Sequence, residues 1–262
     1  MLAYYRAVAP KLLPHLRDRP VTLERLPEGV TGEKAPHFWQ KNTPPYYPSF
    51  IPRAKLPTET GKPVDYALVN DERALLYLVN QNVLTFHTWF STASDPDTPT
   101  YVLFDIDPHQ STFENAVAVA KKLHEILDHI GVANFLKTSG KSGLHVMVPW
   151  KASDGGFEEA RAWAERLAQE VANALPKVAT TERMIDRRGS RVYVDAMQNA
   201  KGKHSVPPYV LRATPAATVS MPLEWKELTA KLSPKQFDLK TAVKRIERMK
   251  KDPLLVLTGA KR

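Results

Sequence analysis

Three aspartates close apolar runs of the sequence. Asp105 and Asp107 end Tyr101-Val102-Leu103-Phe104-Asp105-Ile106-Asp107, and Asp195 ends Val192-Tyr193-Val194-Asp195. On a strand, side chains two apart point the same way. Asp105 and Asp107 therefore share a face with Tyr101 and Leu103, roughly 7 Å apart, while Val102, Phe104 and Ile106 fill the other. Paired carboxylates suit hard cations such as Mg²⁺ and Mn²⁺, which take oxygen ligands. A lone Asp-x-Asp before Pro108 also reads as a strand end with turn-forming residues. Adding Asp195 makes a set able to hold two ions, which would activate a primer 3′-hydroxyl and stabilise a leaving pyrophosphate.

Around these lie groups suited to anions. Lys137-Thr138-Ser139-Gly140-Lys141-Ser142-Gly143-Leu144-His145 contains Gly-Lys-Ser but lacks the first glycine of a nucleotide-binding P-loop, and a strand rather than a helix follows. Its small residues let backbone N–H groups approach phosphate, and Lys141 and Ser142 add donors; a plain hairpin turn is the alternative. His145 lies on the face opposite Leu144 and Val146. His87 shares a face with Trp89 in Val83-Leu84-Thr85-Phe86-His87-Thr88-Trp89. Arg188, Arg191, Gln198, Asn199 and Arg212 surround or follow Asp195. Phe38 and Trp39, two residues before Lys41, offer flat rings beside a cation, as base stacking requires; core packing is the alternative.

The elements that must position these groups alternate between strands and helices. After the strand 101–107, Ser111-Thr112-Phe113-Glu114 reads as a capping box with Ser111 as N-cap and Glu114 reaching back. The helix behind it carries Ala116, Val119, Ala120, Leu123 and Leu127 on one face and stops at Gly131. Residues 134–139 and 144–148 form a hairpin, 157–175 a second amphipathic helix, 191–195 another strand, and 240–251 a basic amphipathic helix. Six prolines between residues 43 and 63 predict a loop packed onto the body through Tyr46, Tyr47, Phe50 and Ile51. The pattern predicts a mixed sheet with helices packed on it.

With 262 residues and 43% apolar composition the chain can bury a substantial core. No stretch approaches the roughly 18 apolar residues of a membrane span, and there is no cysteine, so disulfides and thiolate metal sites are excluded. A cytoplasmic protein is the simplest reading. The net charge of +9 is unevenly placed: residues 1–60 carry 9 basic and 5 acidic groups, residues 61–200 carry 14 and 18, and residues 201–262 carry 14 and 5. A polyanion can bind the basic ends while metals bind the middle.

Taken together the motifs resemble the polymerase domain of bacterial ligase D, of the archaeo-eukaryotic primase superfamily, which acts in non-homologous end joining. The resemblance runs from Tyr4-Tyr5 and Leu13-Pro14-His15-Leu16 through Arg19-Pro20-Val21-Thr22-Leu23-Glu24-Arg25, Phe38-Trp39-Gln40-Lys41, His87-Thr88-Trp89, Phe104-Asp105-Ile106-Asp107-Pro108, Lys137-Thr138-Ser139-Gly140, Gly143-Leu144-His145 and Val194-Asp195-Ala196-Met197-Gln198-Asn199 to Pro208-Tyr209-Val210-Leu211-Arg212-Ala213 and Pro222-Leu223-Glu224-Trp225. It departs at Ser142, where many relatives carry a basic residue; here Lys141 precedes it. The resemblance implies one primase-polymerase domain over residues 1–262, an α/β (α+β) fold of mixed, largely antiparallel sheets flanked by helices around one cleft. It implies Asp105, Asp107 and Asp195 as catalytic metal ligands for two Mn²⁺ or Mg²⁺ ions. His87, Ser139, Lys141, Ser142, His145, Arg188, Gln198 and Arg212 would hold or support the nucleotide, and Phe38, Trp39 and Lys41 would meet DNA. The expected activity is extension of primer 3′ ends with NTPs or dNTPs, ribonucleotides preferred, at gaps or broken ends, in a bacterial or archaeal nucleoid, with Ku and a DNA ligase as partners. The length leaves no room for a ligase domain, so a stand-alone relative or an excised domain is expected. A primase starting chains de novo, a two-metal nuclease and a non-catalytic end-binding module are the alternatives.

Overall fold

The computed structural model describes residues 1–30, 36–58, 61–229 and 231–259. It contains two six-stranded sheets with helices packed on them. In the first, β1 (Pro20–Arg25) lies between β5 (Val83–Trp89) and β4 (Pro63–Leu68). The short strand β2 (Phe38–Gln40) also pairs with β1, β3 (Arg53–Pro57) pairs with β4, and β11 (His204–Ser205) with β5. The second runs β12 (Pro222–Leu223), β7 (Phe135–Thr138), β8 (Leu144–Pro149), β6 (Tyr101–Asp107), β10 (Val192–Asp195), β9 (Ala179–Thr180). Every pairing is antiparallel except β9 with β10. The mixed, largely antiparallel α/β architecture is thus the one the sequence predicts.

Helices α1 (Leu2–Leu16) and α2 (Glu72–Asn80) contact each other beside the first sheet; α3 (Phe113–His129) and α4 (Phe157–Ala174) pack on the second. The apolar alternation of β6 explains the packing: Val102, Phe104 and Ile106 enter the main core with Ala116, Val119, Ala120 and Leu123 of α3 and Ala160 and Ala164 of α4. That core is continuous with Tyr4, Tyr5 and Leu12 of α1 and Val21 and Leu23 of β1. Tyr101 and Leu103, on the other face of β6, pack with Met147, Phe90, Leu254 and Leu257. Only the last two odd positions of β6 are carboxylates, so that face is apolar until it reaches Asp105.

Three local expectations are corrected. The N-cap of α3 is Thr112, whose side chain accepts from the Asn115 N–H at 3.3 Å; Ser111 Oγ instead accepts from Asn115 Nδ2 at 3.0 Å. Ser-Thr offers two capping hydroxyls in a row, and the sequence does not rank them. The proline-rich stretch 43–63 is not all loop, for β3 lies within it; residues 59 and 60 fall outside the described residues. Proline is tolerated because β3 is an edge strand and Pro57 and Pro63 face each other where the hairpin opens. The last helix, α6 (Leu239–Arg248), stops short of Lys251 because Met249 leaves helical geometry at φ −75°, ψ 104°. Its Arg245 is not a free surface charge: it donates to both carboxylate oxygens of Glu227 and to the Pro222 carbonyl.

A candidate active site between the two sheets

Register builds the site. Lys137 on β7 stands opposite His145 on β8, His145 opposite Asp105 on β6, and Asp105 opposite Asp195 on β10. Directly opposed residues of antiparallel strands share a face, so one row of side chains crosses four strands: ammonium, imidazole, carboxylate, carboxylate. Asp107 stands in the next row on the same face, opposite Tyr193. The facing sheet has a similar surface. Thr22 lies opposite His87, Glu24 opposite Thr85 on β5 and opposite Trp39 on β2, and His204 opposite Trp89.

The three aspartates differ in their partners. Asp195 accepts from the Met197 N–H at 2.8 Å and from Gln198 Nε2 at 3.3 Å; Asp107 accepts from the His109 N–H at 3.2 Å. Burial first, then the charges of Asp195 and Asp107, push the Asp105 carboxyl up to about 7. Neutral His145 offers it only a long approach, Nε2 to Oδ1 3.5 Å. Among the described residues no group of three or more His, Cys, Asp or Glu side chains stands gathered as a finished metal cage. Asp107 and Asp195 turn instead toward N–H donors. The donor set still fits a hard divalent cation: three oxygen-bearing groups on adjacent strands whose combined charge is unmatched at Asp105.

His87 and His145 are both held well below the usual histidine range, by burial first and then by Arg212 and Lys137 among nearby cations. Lys137 is fully buried, its ammonium pushed well down by burial and Arg212; Nζ donates to Ser220 Oγ at 2.7 Å. Arg212 is buried and donates through Nη1 to the Ser139 carbonyl at 2.9 Å. Six buried polar atoms here find no partner among the described residues: Thr22 Oγ1, Glu24 Oε2, Thr85 Oγ1, His87 Nε2, His145 Nδ1 and Arg212 Nε. Unmatched buried polar atoms are costly, and so many in one place mark a site built for water or a polar ligand.

The glycine-rich turn behaves only partly as expected. Ser139 Oγ accepts from the N–H groups of both Lys141 and Gly143, at 3.2 and 3.0 Å, so those two amides are not offered to a phosphate. The glycines serve close packing. A Cβ on Gly143 would stand 2.3 Å from the Ile106 carbonyl oxygen, and one on Gly140, whose φ is +76°, 2.6 Å from Arg212 Cγ. Gly143→Ala is therefore expected to force β8 away from the Asp105 strand and to cost more than about 2 kcal/mol, measurable as a lowered denaturation midpoint. Lys141 and Ser142 lie exposed at the tip.

The structure brings His87, Ser139, His145, Gln198 and Arg212 together with the aspartates. Arg188 is placed differently: it is buried, donates to the carbonyls of Glu182 and Arg183 at 2.9 Å each, and lies 3.8 Å over the Tyr193 ring. It borders the Asp107 row rather than the glycine turn. Phe38 and Trp39 are 44% and 46% exposed, which removes the core-packing alternative. The Trp39 ring meets His87 edge-on at 4.9 Å and lies 6.3 Å from His204. Lys41 lines an adjacent cavity of ≈ 440 Å³ with Tyr66, Trp89, Lys201, Lys203 and His204.

Sequence reasoning missed Glu24, His204 and Tyr193 and gave Lys137 no role. For Glu24 a signal existed: Val21 and Leu23 alternate with Thr22 and Glu24, the same apolar–polar alternation that puts Thr85 and His87 on one face of β5.

Residues 1–254 match the family described as LigD, primase-polymerase domain. The bifunctional non-homologous end joining protein LigD of Bacillus subtilis (strain 168) is 34% identical over 248 residues, 94% of this chain and 39% of that protein. The multifunctional non-homologous end joining protein LigD of Mycolicibacterium smegmatis is 30% identical over 228 residues, 86% of this chain and 29% of that protein. The chain thus spans well under half the length of these relatives. Among solved structures, the polymerase domain from Mycobacterium tuberculosis ligase D in complex with DNA superposes with a TM-score of 0.88 at 28% identity, covering 98% of this chain and 90% of that one.

Proposed function

The chain belongs to the LigD primase-polymerase family, a family of nucleotidyltransferases, and from that premise we propose that it extends primer 3′ ends at gaps or double-strand breaks during non-homologous end joining. The observation that carries this is the row Lys137–His145–Asp105–Asp195 with Asp107 beside it. It sets carboxylates at one end and anion-directed groups at the other, as transfer of a nucleotidyl group from a triphosphate to a hydroxyl requires. Asp105, Asp107 and Asp195 would hold two Mn²⁺ or Mg²⁺ ions, which when bound supply Lewis acidity at the reacting phosphate and lower the pKa of the attacking hydroxyl. His145, Arg212, Ser139 and Lys141 bind the phosphate tail, and Gln198 steadies Asp195. His87 and Trp39 face the sugar and base. Ribonucleotides are the favoured substrates, since the unpartnered Thr22, Thr85 and His87 atoms can hydrogen-bond sugar hydroxyls.

DNA is the macromolecular substrate, met by Phe38, Trp39 and Lys41. Ku and a DNA ligase are the proposed partners, and the nucleoid the place of action; no described helix is long and apolar enough to cross a membrane. A labelled primer–template assay tests the whole reading. NTP-dependent elongation is the expected result. Products without primer would indicate a primase, shortening without NTP a nuclease, and a gel shift alone a binding module. DNA binding is expected to weaken steeply with salt. Each phosphate-contacting lysine replaced should reduce the slope of log K against log salt by about 0.9. Affinity that stays flat from low to moderate salt would count against backbone contacts by the basic N- and C-terminal regions.

A further inference from the structure

Glu24 is a buried ionisable group that the proposed chemistry does not use. It lies on β1, 2% exposed, facing the gap between the sheets, with Trp39 opposite on β2 and Thr85 opposite on β5. Its Oε2 accepts no hydrogen bond from the described residues. The ion-pair approach recorded for it among the described residues is to His37 Nε2, at 4.0 Å. Tyr5 Oη donates to the Leu84 carbonyl and accepts from the Leu211 N–H, which sets the Arg212 segment beside the strand position of Thr85, the residue opposite Glu24; the field of Glu24 reaches Arg212 and, at the glycine-rich turn, Lys141. Burial depresses the Arg212 guanidinium, and Glu24 is the foremost of the charges that oppose this, ahead of Asp105; at Lys141 Glu24 opposes the effects of burial and of Arg212.

Glu24 is not what holds Arg212 in place. The guanidinium is fixed by its bond to the Ser139 carbonyl, and its stem is walled in by Gly140, where even a methyl group would collide with Cγ. The influence of Glu24 is therefore through space. A carboxylate buried near the buried Arg212, where screening by salt is weak, subtracts from that cation's attraction for any anion that enters, and less from that of Lys141 at the exposed tip. We propose that Glu24 is a built-in competitor of the triphosphate: a fixed negative charge that holds down the affinity of Arg212 and Lys141 for the phosphate tail, so that pyrophosphate leaves after each nucleotide is added. This rests on the reading of Arg212 and Lys141 as the cations of the phosphate tail.

Such a residue has a signature opposite to that of a structural one. Neutralising a structural counter-ion loosens the site and weakens binding; neutralising a competitor tightens it. Inorganic pyrophosphate with Mg²⁺ is the probe, because it carries the charge of the tail and neither sugar nor base. The experiment measures its equilibrium binding and its inhibition of primer extension in the wild type, Glu24→Gln, Glu24→Asp and Arg212→Gln, with melting temperatures on the same preparations. Glu24→Gln is expected to bind pyrophosphate about 5-fold or more tightly than wild type and to be inhibited at correspondingly lower concentration. Glu24→Asp, which keeps the charge, is expected to stay near wild type. Glu24→Leu serves as a second neutral variant should the amide fold poorly. If Arg212→Gln weakens pyrophosphate binding but neutral Glu24 variants bind it as wild type does, or less tightly, Glu24 is not a competitor. Tightening in Glu24→Asp equal to that in Glu24→Gln also overturns the proposal, since charge would not be the cause. If Arg212→Gln binds pyrophosphate normally, the assignment of the phosphate-tail cations fails, and the role of Glu24 with it.

Discussion

Asp105→Ala and Asp107→Ala are each expected to reduce primer extension more than about 1,000-fold, equivalent to ~4 kcal/mol of activation free energy, in a protein that remains folded. Each substitution removes one of three carboxylates that the strand register brings to one face. On the proposed two-metal reading, the two carboxylates left would not hold both of the ions that activate a hydroxyl and steady a leaving group. The fold survives for electrostatic reasons. Asp105 is pressed by burial and by Asp195 and Asp107, as its elevated pKa shows, so deleting it relieves repulsion. Asp107 gives up only the bond from the His109 N–H. Without metal, the Asp105 variant should melt at or above the wild-type temperature. Adding Mn²⁺ should raise the wild-type melting temperature, through binding to the folded state, and raise that of the variants much less. Extension at near wild-type rate with unaltered metal dependence in either variant would end the two-metal assignment.

His145→Ala is expected to impair nucleotide use by about 100-fold in kcat/KM and to leave DNA affinity within a factor of about two. A nucleoside triphosphate brings about four negative charges, roughly what two divalent cations cancel, and the aspartates restore three. Additional N–H donors and cations must therefore orient the phosphate tail, and His145 lies in the row between Lys137 and Asp105. The competing account makes His145 a hydrogen-bonding brace of its hairpin. The structure gives that account little support: among the described residues Nδ1 has no hydrogen-bond partner, and Nε2 stands 3.5 Å from Asp105 Oδ1. Melting temperature and NTP kinetics on one preparation separate the two. A destabilised variant with unchanged kinetics would remove His145 from the site.

The parts of the site legible in the sequence were those whose chemistry lies in local spacing. Asp-x-Asp at the end of an apolar alternation announces a strand edge and its face, and Gly140 and Gly143 announce a turn. What two glycines are for is not local: Gly143 is required by the Ile106 carbonyl, 37 positions away in the chain. Lys137 reads as an ordinary motif lysine until the register buries it opposite His145. Glu24 could be assigned to a strand face from its own alternation, but nothing in the sequence says that this face looks across a gap at Arg212. The resemblance implies a nucleotide role for Arg188; the short helix α5 (Ile185–Arg188) sets its guanidinium over the Tyr193 ring, a placement that nothing local in the sequence announces. Long-range register decides such cases, and periodicity within one strand carries no information about it.

Asn199 clasps the β6 backbone from 96 residues away: its side-chain oxygen accepts from the Leu103 N–H at 2.8 Å, and its amide donates to the Leu103 carbonyl at 2.7 Å and to its own Ala196 carbonyl at 2.8 Å. This clasp lies just where the β6–β10 ladder gives out beyond Asp195. Its consequence is temporal. The hairpin β7–β8 and the helices can form from near neighbours, whereas the Asp105–Asp195 pairing closes a loop of some ninety residues, and contacts of that span come late because loop closure must precede them. The Asp105–Asp195 pairing is therefore expected to form after the β7–β8 hairpin, and the row of carboxylates is complete only once β10 has docked on β6.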